Sequence, residues 1–210
     1  IVLLALKITA AMLAGNTVVA KPAPTTPLTS LRMAELLNDV LPPGVFNIIT
    51  DQNDLGAALT GHPDVAKISF TGSTPTGKRV MGAAASSLKR LTMELGGNDA
   101  AIVLDDCDPK TVTPRLMAGA LANNGQLCMA IKRVYVHDSL YDAVCDEAAR
   151  IASEMVVGDG AQQGSQLGPL QNRAQYDRVK GLIADAAGNG NIIAGGGEME
   201  GPGYFIRPTV

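Results

Sequence analysis

Strand-like and helix-like segments alternate along the first half of this chain, and that alternation most constrains its fold. The apolar run Val18-Val19-Ala20 precedes a helical pattern over 27–40, for which Thr26 reads as the cap and Pro27 as the first position. Segments 45–49, 66–70 and 91–94 read as strands, and 54–60 and 78–88 as helices. An opening helical repeat, Leu3, Leu6, Thr9/Ala10 and Leu13, stops at Gly15. Strands separated by helices predict an α/β fold with a parallel sheet covered on both faces. Ligands of such sheets bind outside the carboxyl ends of the strands, and Lys21, Gly72 and Glu94 all fall at such ends.

Past residue 97 the same alternation continues with longer loops. A strand over 100–104 runs into the acidic turn Asp105-Asp106-Cys107-Asp108, and a helix follows to about 123. A loop carrying Gly125 and Cys128 leads to a strand over 133–136, an amphipathic helix over 138–154 and a helix over 173–187. Two more strands are expected at 191–194 and 204–206. The ends, apolar at residue 1 and strand-like at residue 210, suggest a piece cut from a longer chain.

Composition narrows the function. A hydrophobic content of 46% supports a sizeable core. A net charge of −3, with no Lys/Arg run longer than two, gives no footprint for nucleic acid or an anionic membrane surface. No apolar stretch is long enough to span a bilayer. Three widely spaced cysteines fit a reducing compartment better than a disulfide framework. With two histidines and no C-x-x-C, no metal site is expected.

The stretch Phe70-Thr71-Gly72-Ser73-Thr74-Pro75-Thr76-Gly77-Lys78-Arg79 nearly spells a P-loop, but Arg79 stands where a Mg²⁺-binding hydroxyl is required. A strand feeding a helix start through Gly and Ser is a ready anion site, and equally a plain βα turn. Among the cysteines, Cys107 sits in a negative field and Cys145 on an apolar helix side. Cys128 lies in a loop without a neighbouring carboxylate, with Lys132 and Arg133 downstream; a nucleophile and a buried loop cysteine both fit. Glu94 interrupts an apolar strand end, either as an ion-pair partner or as a base.

The order and spacing of Ala14-Gly15-Asn16-Thr17-Val18-Val19-Ala20-Lys21-Pro22, the 70–77 stretch, Glu94-Leu95-Gly96-Gly97 and Asn124-Gly125-Gln126-Leu127-Cys128 resemble the aldehyde dehydrogenase superfamily. Gly168-Pro169-Leu170 and the final Gly203-Tyr204-Phe205-Ile206-Arg207-Pro208-Thr209-Val210 extend the likeness over the whole chain. The resemblance implies a partial Rossmann-like parallel-sheet NAD(P)-binding domain over 1–95 and part of an α/β catalytic domain over 96–210. It implies Cys128 as nucleophile and Glu94 as general base. Lys21 matches the lysine on the adenosine ribose, and Gly56 a helix glycine beneath the adenosine. Gly72, Ser73 and Gly77 match the turn and helix start under the pyrophosphate, and Leu95 and Gly96 the nicotinamide side.

The activity implied is oxidation of a small-molecule aldehyde to the carboxylic acid with NAD or NADP, in a cytoplasmic homo-oligomer. The alternative is a nucleotide-binding piece of such an enzyme, catalytically incomplete because N- and C-terminal segments are missing. Two positions depart from the family pattern. Pro24 stands where many members carry a ribose-binding glutamate, so NADP is not excluded. Asp51-Gln52-Asn53-Asp54 replaces a glycine-rich turn before the adenosine-side helix.

Overall fold

The computed structural model describes residues 1–210. It divides into two compact units, Ile1–Gly96 and Gly97–Val210. No helix is long and apolar enough to cross a membrane.

The first unit holds two β-α-β repeats. Helix α1 (Val2–Leu13) leads into β1 (Val18–Ala20), α2 (Leu28–Asn38) and β2 (Phe46–Ile48). Strands β1 and β2 pair in parallel, Ala20 opposite Ile48. Ile8, Ala20, Ala34 and Phe46, one from each of these four elements, form a single buried cluster. Helix α3 (Gly56–Gly61) then leads to β3 (Lys67–Thr71), α4 (Thr74–Ala85) and β4 (Arg90–Glu94). Strands β3 and β4 pair in parallel from Lys67–Arg90 to Thr71–Glu94. Ile68 of β3 packs on Val80 and Ala84, which share one face of α4 through i,i+4 spacing.

Lys89 closes this second repeat. It is only 9% exposed, and its ammonium donates to the carbonyls of His62 at 2.6 Å and Val65 at 2.7 Å. It thereby satisfies two acceptors in the turn that precedes β3. Lys89→Met keeps the aliphatic stem and removes both charge-assisted bonds, leaving the His62 carbonyl only its bond from the Val65 amide (3.1 Å), so a loss of about 1.5–3 kcal/mol is expected. Urea denaturation, read as a lower midpoint at unchanged slope, checks it.

The second unit opens with a third repeat: β5 (Asp99–Val103), α5 (Pro109–Leu121) and β6 (Ile131–Val136), with β5 and β6 parallel. Asp108 caps α5, accepting from the Lys110 amide at 3.2 Å and the Thr111 hydroxyl at 2.6 Å. After a 3-10 turn at Asp138–Leu140, helix α6 (Tyr141–Glu154) lays Ala148 and Ala152 against Met117 of α5. Helix α7 (Arg173–Asn189) follows, capped by the Asn172 side chain on the Gln175 amide at 3.0 Å.

The parallel α/β class agrees with the sequence reading, but several details differ. Three two-stranded parallel ladders form in place of one continuous sheet. Helix α4 starts at Thr74, four residues before the expected 78, because Ser73 supplies the cap and Pro75 suits the first turn. Pro27, not Thr26, occupies the cap position of α2, and no side chain caps that helix. The strands expected at 191–194 and 204–206 do not form. Ala194 exchanges backbone hydrogen bonds with Val210 (3.0 and 3.3 Å), and Glu198 and Ile206 share one isolated antiparallel bridge. Gly195 and Gly196 both take left-handed φ (76° and 78°), which ends the extended run immediately after Ala194.

Candidate active site

The βα turn at 70–77 has the form of an anion cradle. Ser73 is the N-cap of α4: its hydroxyl accepts from the Thr76 amide (3.4 Å), and its carbonyl from the Gly77 amide (2.9 Å). The Ser73 and Thr74 amides meet no acceptor in the protein, so two donors remain at a helix start of 12 residues. The Thr71 hydroxyl beside this turn is buried and also lacks a partner. A Cβ on Gly77 would come within 2.8 Å of Leu95, so the missing side chain lets α4 close onto the segment that follows β4. The vicinity of Gly96 is open, with nothing within 4 Å of where its Cβ would stand.

Parallel pairing brings Glu94 to the same end. Thr71 lies opposite Glu94, and the Gly72 amide donates to the Glu94 carbonyl at 3.0 Å. Glu94 is exposed and takes part in none of the ion pairs. The salt bridge that the sequence left open for it is therefore absent. Its electrostatic neighbour is Lys7, which the sequence reading missed. Burial pushes the Lys7 ammonium below its usual range, against the opposing pull of Glu94. Lys7 also donates to the Ser69 hydroxyl of β3 at 3.0 Å. A lysine amid the apolar residues of α1 was the available signal.

Lys21 sits at the carboxyl end of β1. Its ammonium donates to Asp51 Oδ1 at 3.1 Å and to the Pro22 carbonyl at 3.2 Å. A Cβ on Gly56 would lie 4.0 Å from Lys21 Cε, so the start of α3 stands beside the lysine stem. Lys21, Gly56, Gly72, Ser73, Gly77, Glu94, Leu95 and Gly96 all belong to the first unit. The unpartnered amides, the open space at Gly96 and a lysine at a strand end are compatible with a dinucleotide.

Cys128 belongs to the second unit. It is exposed, which removes the reading of a buried loop cysteine, whereas Cys107 and Cys145 are half-buried. Its loop is built by three successive residues with left-handed φ: Asn123 (50°), Asn124 (58°) and Gly125 (72°). Asn and Gly are the residue types that tolerate this region. A turn then closes with the Ala130 amide on the Leu127 carbonyl (3.3 Å), leaving the Cys128 amide without an acceptor in the protein. Lys132 donates to the carbonyls of Leu127 (3.3 Å), Cys128 (3.1 Å) and Ala130 (2.9 Å), gathering the turn beneath one ammonium.

A second strap reaches across 44 residues. The Asn124 side chain accepts from the Gly168 amide at 2.9 Å and donates to the Pro169 carbonyl at 3.1 Å. Gln126 accepts from the Gln171 amide at 2.8 Å. Asn124→Ala removes both Asn124 bonds and puts a strained residue at positive φ, so a destabilisation of about 1–3 kcal/mol is expected. Amide hydrogen exchange should accelerate over 122–130. Asn124→Gly, which relieves the backbone but not the lost bonds, should recover only part of it.

Comparison with known proteins defines the class. The aldehyde dehydrogenase family model matches residues 1–210, and the chain belongs to this family of oxidoreductases. It is 49% identical over 180 residues to a probable aldehyde dehydrogenase of Pseudomonas sp., covering 85% of this chain and 37% of the relative. It is 42% identical over 208 residues to the phenylacetaldehyde dehydrogenase of Pseudomonas fluorescens, covering 97% of this chain and 41% of that protein. A solved structure, a cysteine-to-alanine mutant of aldehyde dehydrogenase C from Pseudomonas syringae in complex with NAD+ and octanal, superposes with a TM-score of 0.92 at 39% identity. That match covers 96% of this chain and 43% of the other. The chain thus spans about two fifths of the length of these relatives.

Proposed function

We propose that this chain is the part of an NAD(P)-dependent aldehyde dehydrogenase that carries the cofactor cradle and the nucleophile. In this reading the first unit binds the dinucleotide and supplies the base Glu94, and the second supplies the nucleophile Cys128. The observation that carries it is the exposed Cys128, held on a strained, strapped turn with an unpartnered amide. Family membership and the NAD+ complex of the P. syringae relative support the cofactor class. The aldehyde substrate class rests on the same membership.

The residues divide the work as follows. Lys21 and the Ser73 and Thr74 amides hold the ribose and pyrophosphate, with Gly56, Gly72 and Gly77 admitting close approach of backbone. Leu95 and Gly96 border the nicotinamide. The bound cofactor supplies a hydride acceptor. The Cys128 thiolate adds to the aldehyde carbonyl, forming a C–S bond and a thiohemiacetal oxyanion, to which the Cys128 amide donates. Loss of hydride from that carbon leaves an acyl thioester on Cys128. Glu94 takes a proton from water as the water adds to the thioester; the C–S bond breaks, releasing the carboxylic acid and restoring the thiolate. Overall, aldehyde, water and oxidised cofactor become acid, reduced cofactor and a proton.

The test is formation of reduced nicotinamide, followed by absorbance, when the chain meets NAD+ or NADP+ with a panel of short, aromatic and medium-chain aldehydes. Aldehyde-dependent formation that requires a free thiol supports the full reading. Cofactor binding without any turnover would instead identify a nucleotide-binding piece lacking part of the catalytic apparatus.

A further inference from the structure

We propose that Asp51 is a positioning residue that turns Lys21 into a contact for a ribose hydroxyl and away from a 2′-phosphate, so that the chain prefers NAD+ to NADP+. This rests on placing Lys21 at the adenosine ribose. Position 24, where the family resemblance leads one to expect a ribose-binding carboxylate, is proline. The structure supplies a carboxylate from another strand. The Ile49 amide donates to the Ala20 carbonyl at 2.9 Å, and this extension of the β1–β2 ladder carries Asp51 up to Lys21.

The pair is sequestered and anchored. The Asp51 side chain is 0% exposed and that of Lys21 20%, with Nζ 3.1 Å from Oδ1. Asp51 Oδ2 accepts from the Leu55 amide at 3.2 Å, so the carboxylate is held at both oxygens. Burial pushes the Asp51 carboxyl upward, but the Lys21 ammonium and the Leu55 amide together outweigh it and hold the group below its usual range. Asp51 is therefore ionised at neutral pH.

Two consequences follow for Lys21. Of its three ammonium hydrogens, Asp51 and the Pro22 carbonyl take two, leaving one for a ligand. A single donor suits a hydroxyl, whereas a phosphate offers several acceptors and a double negative charge. The ammonium charge is also already balanced. The turn 51–54 adds a second carboxylate, Asp54, which accepts from the Gln52 amide at 3.1 Å, and no cation. A 2′-phosphate at Lys21 would thus meet an ammonium already neutralised by Asp51 and would bring its own charge against that carboxylate, which is discrimination by repulsion.

Titration calorimetry on the 210-residue chain with NAD+ and NADP+ tests this, using the wild type, Asp51→Asn and Lys21→Met. Asparagine preserves shape and the acceptor for the Leu55 amide while removing the charge. Wild type should bind NAD+ about tenfold or more tighter than NADP+, and Asp51→Asn should shrink that ratio about tenfold, mainly by tighter NADP+ binding. An unchanged ratio in a folded Asp51→Asn, checked by circular dichroism, overturns the proposal. Lys21→Met should weaken NAD+. If it leaves both affinities unaltered, or if the wild type binds neither nucleotide, the ribose assignment itself fails. Should Asp51→Asn not fold, wild type alone decides by competition between 5′-AMP and adenosine 2′,5′-bisphosphate. Preference for 5′-AMP is expected, and equal or reversed binding overturns the idea.

Discussion

Cys128→Ala is expected to lower aldehyde-dependent reduction of NAD(P)+ by about 10⁴-fold or more, because removal of a covalent nucleophile leaves only the binding and orienting groups. The variant should fold as the wild type does, since Cys128 is exposed and no hydrogen bond of the structure uses its sulfur. Cofactor affinity should be unaltered. Cys107→Ala and Cys145→Ala are the controls: both thiols are half-buried, and neither should cost more than a few-fold in rate. A thiol-alkylating reagent adds a direct reading, because modification at Cys128 should track loss of activity one for one. Equal loss of activity in all three variants would remove Cys128 from its special role.

Glu94→Gln should separate the two halves of the reaction. The amide keeps the shape of the side chain but cannot accept a proton from water, so thioester hydrolysis should fall by about 10²–10⁴-fold. Hydride loss precedes that step. Rapid mixing should therefore show a burst of reduced nicotinamide approaching one equivalent, followed by a slow steady state. Hydroxylamine attacks a thioester without needing a base and should restore turnover in Glu94→Gln but not in Cys128→Ala. Absence of the burst would mean that Glu94 acts before hydride loss, and the assignment of its role would change.

The sequence made the elements of the first unit legible because each repeat carries its own signals. The 70–77 stretch carries a strand end and a proline suited to a first turn, both local signals, whereas the Ser73 cap that starts the helix at Thr74 was not read. Glu94 was conspicuous for a similar reason, as a charge at an apolar strand end. Its relation to Gly72 was not, because the register Thr71–Glu94 depends on how two strands slide against each other. Lys7 escaped notice because its nearness to Glu94 joins segments almost ninety residues apart. The Lys21–Asp51 pair was hidden likewise, since strand pairing, not spacing, unites them. The two strands expected near the end of the chain did not form because apolar pattern alone suggested them. The glycines beside them set the backbone instead.

The hydrogen bond from the Gly72 amide to the Glu94 carbonyl has a mechanical meaning. The turn proposed to grip a ligand and the residue proposed to receive a proton are yoked by one peptide contact. Ligand binding that displaces the turn must therefore stretch, tilt or relieve the backbone beneath the carboxylate. Linkage is reciprocal, so a change at residue 94 that alters this peptide should also be felt as a change in nucleotide affinity.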